Sequence, residues 1–104
     1  MSGRWRSALL LDGNIGIGGR PTLLLRRVAS LLAVGGDVLV ELRPPGRGIV
    51  IEELRLEHGR ARSAWFRWAT VAVDAIDEPA AAADLAVAGS WCDGGRWFAR
   101  LERR

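Results

Sequence analysis

The sequence predicts an α/β fold: one βαβ unit, an extended segment, a second helix and a C-terminal antiparallel β-hairpin. Three observations carry this expectation. Two short apolar runs, residues 7–11 and 37–42, bracket a stretch with helical periodicity. An alanine-rich stretch, DAIDEPAAAADLA, has the composition of a second helix. The chain then closes on two runs, VAGSW and RWFARLE, either side of the turn signal Cys92-Asp93-Gly94-Gly95.

Taken in order, SALLL at 7–11 is almost unbroken in its apolar character, as expected of a parallel strand covered on both faces. The loop that follows, DGNIGIGG, places four glycines between positions 13 and 19. From Pro21, which suits a first helical turn, Leu24, Val28, Leu31 and Leu32 recur at helical spacing with Arg26 and Arg27 on the other side. Gly35 and Gly36 are expected to stop this helix, because glycine adopts a left-handed closing conformation at little cost. DVLVEL is the second strand, ended by Arg43-Pro44-Pro45-Gly46, since proline cannot continue a ladder. A βαβ crossover is right-handed in nearly all proteins and lays its strands parallel. Both LDGNIGIGG and LRPPG then leave the same carboxyl edge of the sheet, where open α/β sheets bind ligands.

Beyond Gly48 the pattern changes to short alternations on either side of His58-Gly59, the expectation for a hairpin or a pair of extended segments turning at Gly59. Pro79 is expected to set the start of the second helix, with Asp77 or Glu78 near its cap.

With 104 residues, a single domain over residues 1–104 is expected, because a second core would have too little chain. No apolar run approaches the ~18 residues that cross a bilayer, and the basic N-terminal stretch leads into an apolar segment too short for a secretory signal. The expected setting is cytoplasmic, without a membrane. The lone Cys92 has no internal disulfide partner, and it has neither a Cys-x-x-Cys neighbour nor a histidine cluster that would make a metal site.

The net charge of +3 arises in residues 1–52, where seven arginines face four acids; in 53–104 eight face eight. That distribution is too diffuse for a nucleic-acid footprint. Trp65, Phe66 and Trp68 interleaved with Arg62 and Arg67 could stack bases, but an amphipathic strand with tryptophan inside and arginine in solvent is the favoured reading. His58, in a turn, is expected to be exposed. Glu41, Glu52, Glu53 and Glu57 include possible acid/base partners, and no nucleophile is identified.

The glycine loop fails the known phosphate and nucleotide fingerprints. Gly16 and Gly18 begin a GxGxxG, but position 21 is proline; a P-loop needs a lysine, and the chain has none. In DxGxGxG, Asp12 is followed at the required places by Asn14, Gly16 and Gly18, so the first glycine is replaced. By spacing alone the loop reads as an ordinary strand-to-helix connection.

The order of elements is more specific than any one motif. SALLLDGN, a helix ending LLAVGG, DVLVEL, an extended segment, an alanine-rich helix and VAGSWCDGGRWFARLE together resemble the C-terminal half of a class I S-adenosylmethionine-dependent methyltransferase, from about Ser7 to Glu102. The resemblance implies a partial Rossmann-like methyltransferase sheet, in which LLLDGNIGIGG corresponds to the family's fourth strand and its loop. It implies that Asp12, Gly13, Asn14 and Ile15 lie beside the S-adenosylmethionine cofactor, with a small molecule as methyl acceptor. Catalytic residues are not assigned.

Nothing in Met1 to Arg6 corresponds to the family's DxGxGxG strand and loop, so little or no methyl transfer by this chain alone is expected. RPPG is not the family's [DN]PP[FY] motif, which follows the fourth strand. The strand at 7–11 is flanked in the family by a strand without counterpart here. Its open apolar edge implies a homo-oligomer or a partner chain supplying the missing strands. The alternative function is a non-catalytic interaction module that pairs or dimerises through that edge.

Overall fold

The computed structural model describes residues 4–104, so the first three residues of the basic N-terminal stretch lie outside it. Four strands form the main sheet in the spatial order β1 (Trp5–Leu10), β2 (Leu32–Leu42), β8 (Arg96–Arg103) and β7 (Leu85–Asp93). β1 and β2 are parallel, with Leu9 opposite Leu39, and helix α1 (Pro21–Leu31) makes the crossover between them. β8 runs antiparallel to both β2 and β7. Gly94 and Gly95, with φ of 58° and 79°, turn β7 into β8. Two successive positive-φ residues are what a two-residue hairpin turn compatible with strand twist requires. The expected βαβ unit and closing hairpin are both present.

A two-stranded ribbon, β3 (Ile49–Leu54) against β6 (Phe66–Val71), occupies the extended segment; its tip carries the short pair β4 (Glu57–His58) and β5 (Ala61–Arg62). Gly59 turns that tip with φ of 60°. Helix α2 (Asp77–Ala82) follows, with Asp77 and Glu78 in its first turn, where the helix dipole favours acids. It begins two residues before Pro79, because a short 3₁₀ turn at Val73–Ala75 already bends the chain into helical geometry.

The core lies between the sheet and the two helices. Val38, Val40 and Leu42 point to this side from β2, Ala99 and Leu101 from β8, and they meet Leu25, Val28 and Ala29 of α1 and Ala80 of α2. Three expectations are corrected here. The buried stripe of α1 is Leu25, Val28 and Ala29, with Leu24 and Leu31 only half-buried. The helix ends at Leu31, ahead of the glycine pair, because Leu32 turns extended, pairs with Trp5 and becomes fully buried. The chain then bulges through Gly35 (φ 81°) before pairing resumes at Ser7 and Asp37. Gly36 sits so close to β1 that a Cβ there would lie 3.0 Å from the Trp5 carbonyl oxygen. Finally, β1 is not covered on both faces: Leu9 is 64% exposed on the side away from the helices. The outer face carries polar pairings instead, among them Ser7 Oγ donating to Asp37 at 2.8 Å and Arg100 bridging Asp37 and Glu102.

Candidate functional site

At the carboxyl ends of β1 and β2 lies a cleft of about 780 Å³, within the size range of small-molecule sites. Four segments build it. The loop after β1 contributes Asp12, Gly13 and Ile15; the end of β2 and the turn beyond it contribute residues 41–45 and Arg47. Residues 68–71 of β6 form a wall, and Gly95 and Arg96 close it from the β7–β8 turn.

The glycine-rich loop takes its shape from two left-handed residues, Asp12 at φ 55° and Gly13 at φ 77°, followed by a 3₁₀ turn over Asn14–Gly16. The Asn14 amide donates to the Leu11 carbonyl at 3.0 Å, and the Gly16 amide to Gly13 at 2.9 Å. Ile15 is only 2% exposed and anchors the loop in the core. Gly16 and Gly19 seat the loop against β6. A Cβ on Gly16 would fall 1.7 Å from the Ala69 carbonyl oxygen, and one on Gly19 would fall 2.7 Å from Arg67 Cβ. Ile17 pairs with Trp68 through an isolated antiparallel bridge. These glycines therefore serve close packing between loop and ribbon, which explains why their spacing matches no nucleotide fingerprint.

Of the four residues singled out by sequence, Asp12, Gly13 and Ile15 line the cleft, and the exposed Asn14 sits just outside its lining. Sequence reasoning missed what holds them. The Glu41 carboxylate accepts from the Asp12 amide at 2.9 Å and from Arg96 Nε and Nη2 at 2.9 and 2.6 Å. One carboxylate thus ties the β1 loop, the end of β2 and the β7–β8 turn together. The Arg96 hydrogen bond, reinforced by the Asp12 amide, holds the Glu41 carboxyl far down, at about 2. Arg96 is correspondingly raised by Glu41. Arg96 also lies 3.6 Å from the Asp12 carboxylate. Glu41 was among four candidate carboxylates, and its position at the carboxyl edge, beside RPPG, was the signal that separates it from the other three. Glu52, Glu53 and Glu57 are exposed on the ribbon and its tip. His58 is exposed there too, as expected.

Trp68, read from sequence as a strand residue facing the core, is half-buried in the cleft wall. Its indole edge lies over the β1 loop, Cζ2 being 3.5 Å from where a Cβ on Gly13 would stand. Among the described residues, no three His, Cys, Asp or Glu side chains gather as metal ligands, and no helix is long and apolar enough to cross a membrane.

The sheet order, the parallel pair and the cleft at its carboxyl end define a partial class I methyltransferase-like fold. Solved structures share it across the whole chain. A SAM-dependent methyltransferase from Bacteroides fragilis in complex with S-adenosyl-L-homocysteine superposes with a TM-score of 0.75 at 18% identity, covering 99% of this chain and 49% of that one. The 1,6-didemethyltoxoflavin-N1-methyltransferase of Burkholderia thailandensis gives 0.71 at 14% identity, covering 99% and 45%. A glycopeptide N-methyltransferase complexed with S-adenosyl-L-homocysteine gives 0.65 at 15% identity, covering 100% and 57%. The chain therefore spans about half the length of the methyltransferases it matches. No protein-family model and no curated protein matches it by sequence, so the likeness rests on the backbone.

Proposed function

We propose that residues 1–104 form one domain that is the C-terminal portion of an S-adenosylmethionine-dependent methyltransferase, furnishing the acceptor-side floor of its active site. The observation that carries this reading is the cleft at the carboxyl ends of the parallel pair β1 and β2, in a sheet whose backbone follows about half of three methyltransferases. Asp12, Gly13, Asn14 and Ile15 stand at the edge where the cofactor would lie, with the Glu41–Arg96 pair fixing the loop that presents them. Positioning of acceptor and methyl donor carries much of such a reaction, so no nucleophile is required of the protein. The two bound forms reported for the neighbours, with S-adenosylhomocysteine and with a small-molecule acceptor, fit this assignment.

β1 ends the sheet with a free edge and leaves Trp5 51% exposed. That edge favours pairing with a chain that supplies the family's first strands, or with a second copy, and is the basis of the second reading, a non-catalytic module that associates through β1. Calorimetric titration with S-adenosylhomocysteine separates the two. Weak binding in the millimolar range that disappears in Asp12→Ala/Asn14→Ala supports the methyltransferase reading. An inert titration at millimolar ligand favours the interaction module.

A further inference from the structure

The cleft carries an unbalanced charge. Three arginines line it, Arg43, Arg47 and Arg96, against two carboxylates, Asp12 and Glu41. Both carboxylates lie within 4 Å of the same arginine, Arg96, at 3.6 and 2.6 Å. Among the described residues Arg43 and Arg47 make no ion pair. Asp74, which accepts the Gly46 amide at 3.3 Å between them, is likewise unpaired with either. Both guanidinium groups are exposed, on a short turn whose backbone is held from two sides: the Arg43 amide donates to Val71 and its carbonyl accepts from Val73, each at 2.9 Å. The half-buried Trp68 lines the same cleft, its backbone bridged to Ile17 and its indole Cζ2 3.5 Å from where a Cβ on Gly13 would stand.

A planar apolar wall beside two uncompensated guanidinium groups recognises one chemical class. We propose that the cleft takes a flat aromatic acid, its ring laid on Trp68 and its carboxylate or phosphate held by Arg43 and Arg47. Aromatic stacking supplies orientation, and guanidinium groups bind carboxylates and phosphates through paired hydrogen bonds. The inference rests on the methyltransferase reading for the meaning of this ligand as methyl acceptor, but not for its binding.

The test uses the whole chain and 2-naphthoate as probe, with calorimetry for affinity and the indole N–H signals in the NMR spectrum for location. The expected result is binding of 2-naphthoate at least about tenfold tighter than either 2-naphthalenemethanol, a ring without charge, or cyclohexanecarboxylate, a charge without a flat ring. Arg43→Gln/Arg47→Gln, on an exposed turn, weakens 2-naphthoate about tenfold or more and leaves the neutral ring unaffected. Trp68→Leu weakens both rings but not cyclohexanecarboxylate; its fold is checked by circular dichroism, and the arginine variant decides the matter if it unfolds. Equal affinity for charged and neutral rings, no binding by folded chain at several millimolar, or an unaffected double variant each overturns the proposal. Displacement of 2-naphthoate by S-adenosylhomocysteine also overturns it, since the anion site would then belong to the cofactor's own carboxylate. A chain that binds 2-naphthoate but not S-adenosylhomocysteine keeps this inference and removes the methyltransferase reading.

Discussion

Arg96 and Glu41, 55 residues apart, meet in a two-pronged ion pair at the carboxyl end of the sheet, with nitrogen–oxygen distances of 2.9 and 2.6 Å. Because Glu41 also accepts the Asp12 amide, the pair sets the position of the loop that enters the cleft from β1.

A pH dependence follows. Glu41 is lowered from its ordinary 4.5 to about 2 in the fold, first by the Arg96 hydrogen bond and then by the Asp12 amide. As acid is added, the unfolded chain takes up this proton before the folded one does. The contribution of Glu41 is therefore fully present above about pH 4.5 and is lost as pH falls toward 2. In Glu41→Gln the slope of stability against pH should flatten within that interval and stay unchanged above pH 6. Thermal melts of both proteins from pH 2 to 7 check this, and parallel curves throughout would count against the clamp.

The glycine loop gives a contrast between two substitutions only two residues apart. Gly16→Ala drives a methyl group into the Ala69 carbonyl, at 1.7 Å, and must pry the loop from β6. Its expected cost is about 3 kcal/mol, the upper range for overpacking against backbone. Gly18 has φ of 79° but open space around it, so Gly18→Ala should cost only about 1–2 kcal/mol for the left-handed conformation. Urea unfolding of the two variants measures the difference. A Gly18 variant as damaged as the Gly16 variant would show that conformation, and not close approach, governs the loop.

Free edges associate, and β1 presents one with Leu9 and Trp5 exposed beside it. The parent chain is expected to elute ahead of a monomer in size-exclusion chromatography at micromolar concentration, and Leu9→Lys to shift it toward the monomer. Leu9 is exposed on the sheet face away from helix α1 and the core, so the far-ultraviolet circular dichroism spectrum should not change. A parent chain that elutes as a clean monomer would remove the edge as an association site.

Much of the fold was legible before the structure. The runs SALLL and DVLVEL, the periodicity after Pro21 and the Asp93-Gly94-Gly95 turn are local signals, and each became the element it indicated. The carboxyl edge shared by LDGNIGIGG and LRPPG followed from the handedness of one crossover, and both segments do line one cleft. What local signals misplaced was decided by contacts at long range. Gly35 and Gly36 look like a helix stop, yet Leu32 leaves the helix first because pairing with Trp5 and full burial outweigh one more helical turn. The both-sided apolar character of β1 remained, but in this chain only one face has helices to cover it.

The site itself divides along the same line. Its chain segments were implied by order and spacing, because a residue's own pattern reports whether it is extended, helical or buried. Its chemistry was not, because Glu41 becomes a clamp only when the hairpin brings Arg96 to it, and Trp68 becomes a wall only when Gly16 and Gly19 let the ribbon lie against the loop. Periodicity tells each element which face to bury; only tertiary packing decides which element it meets.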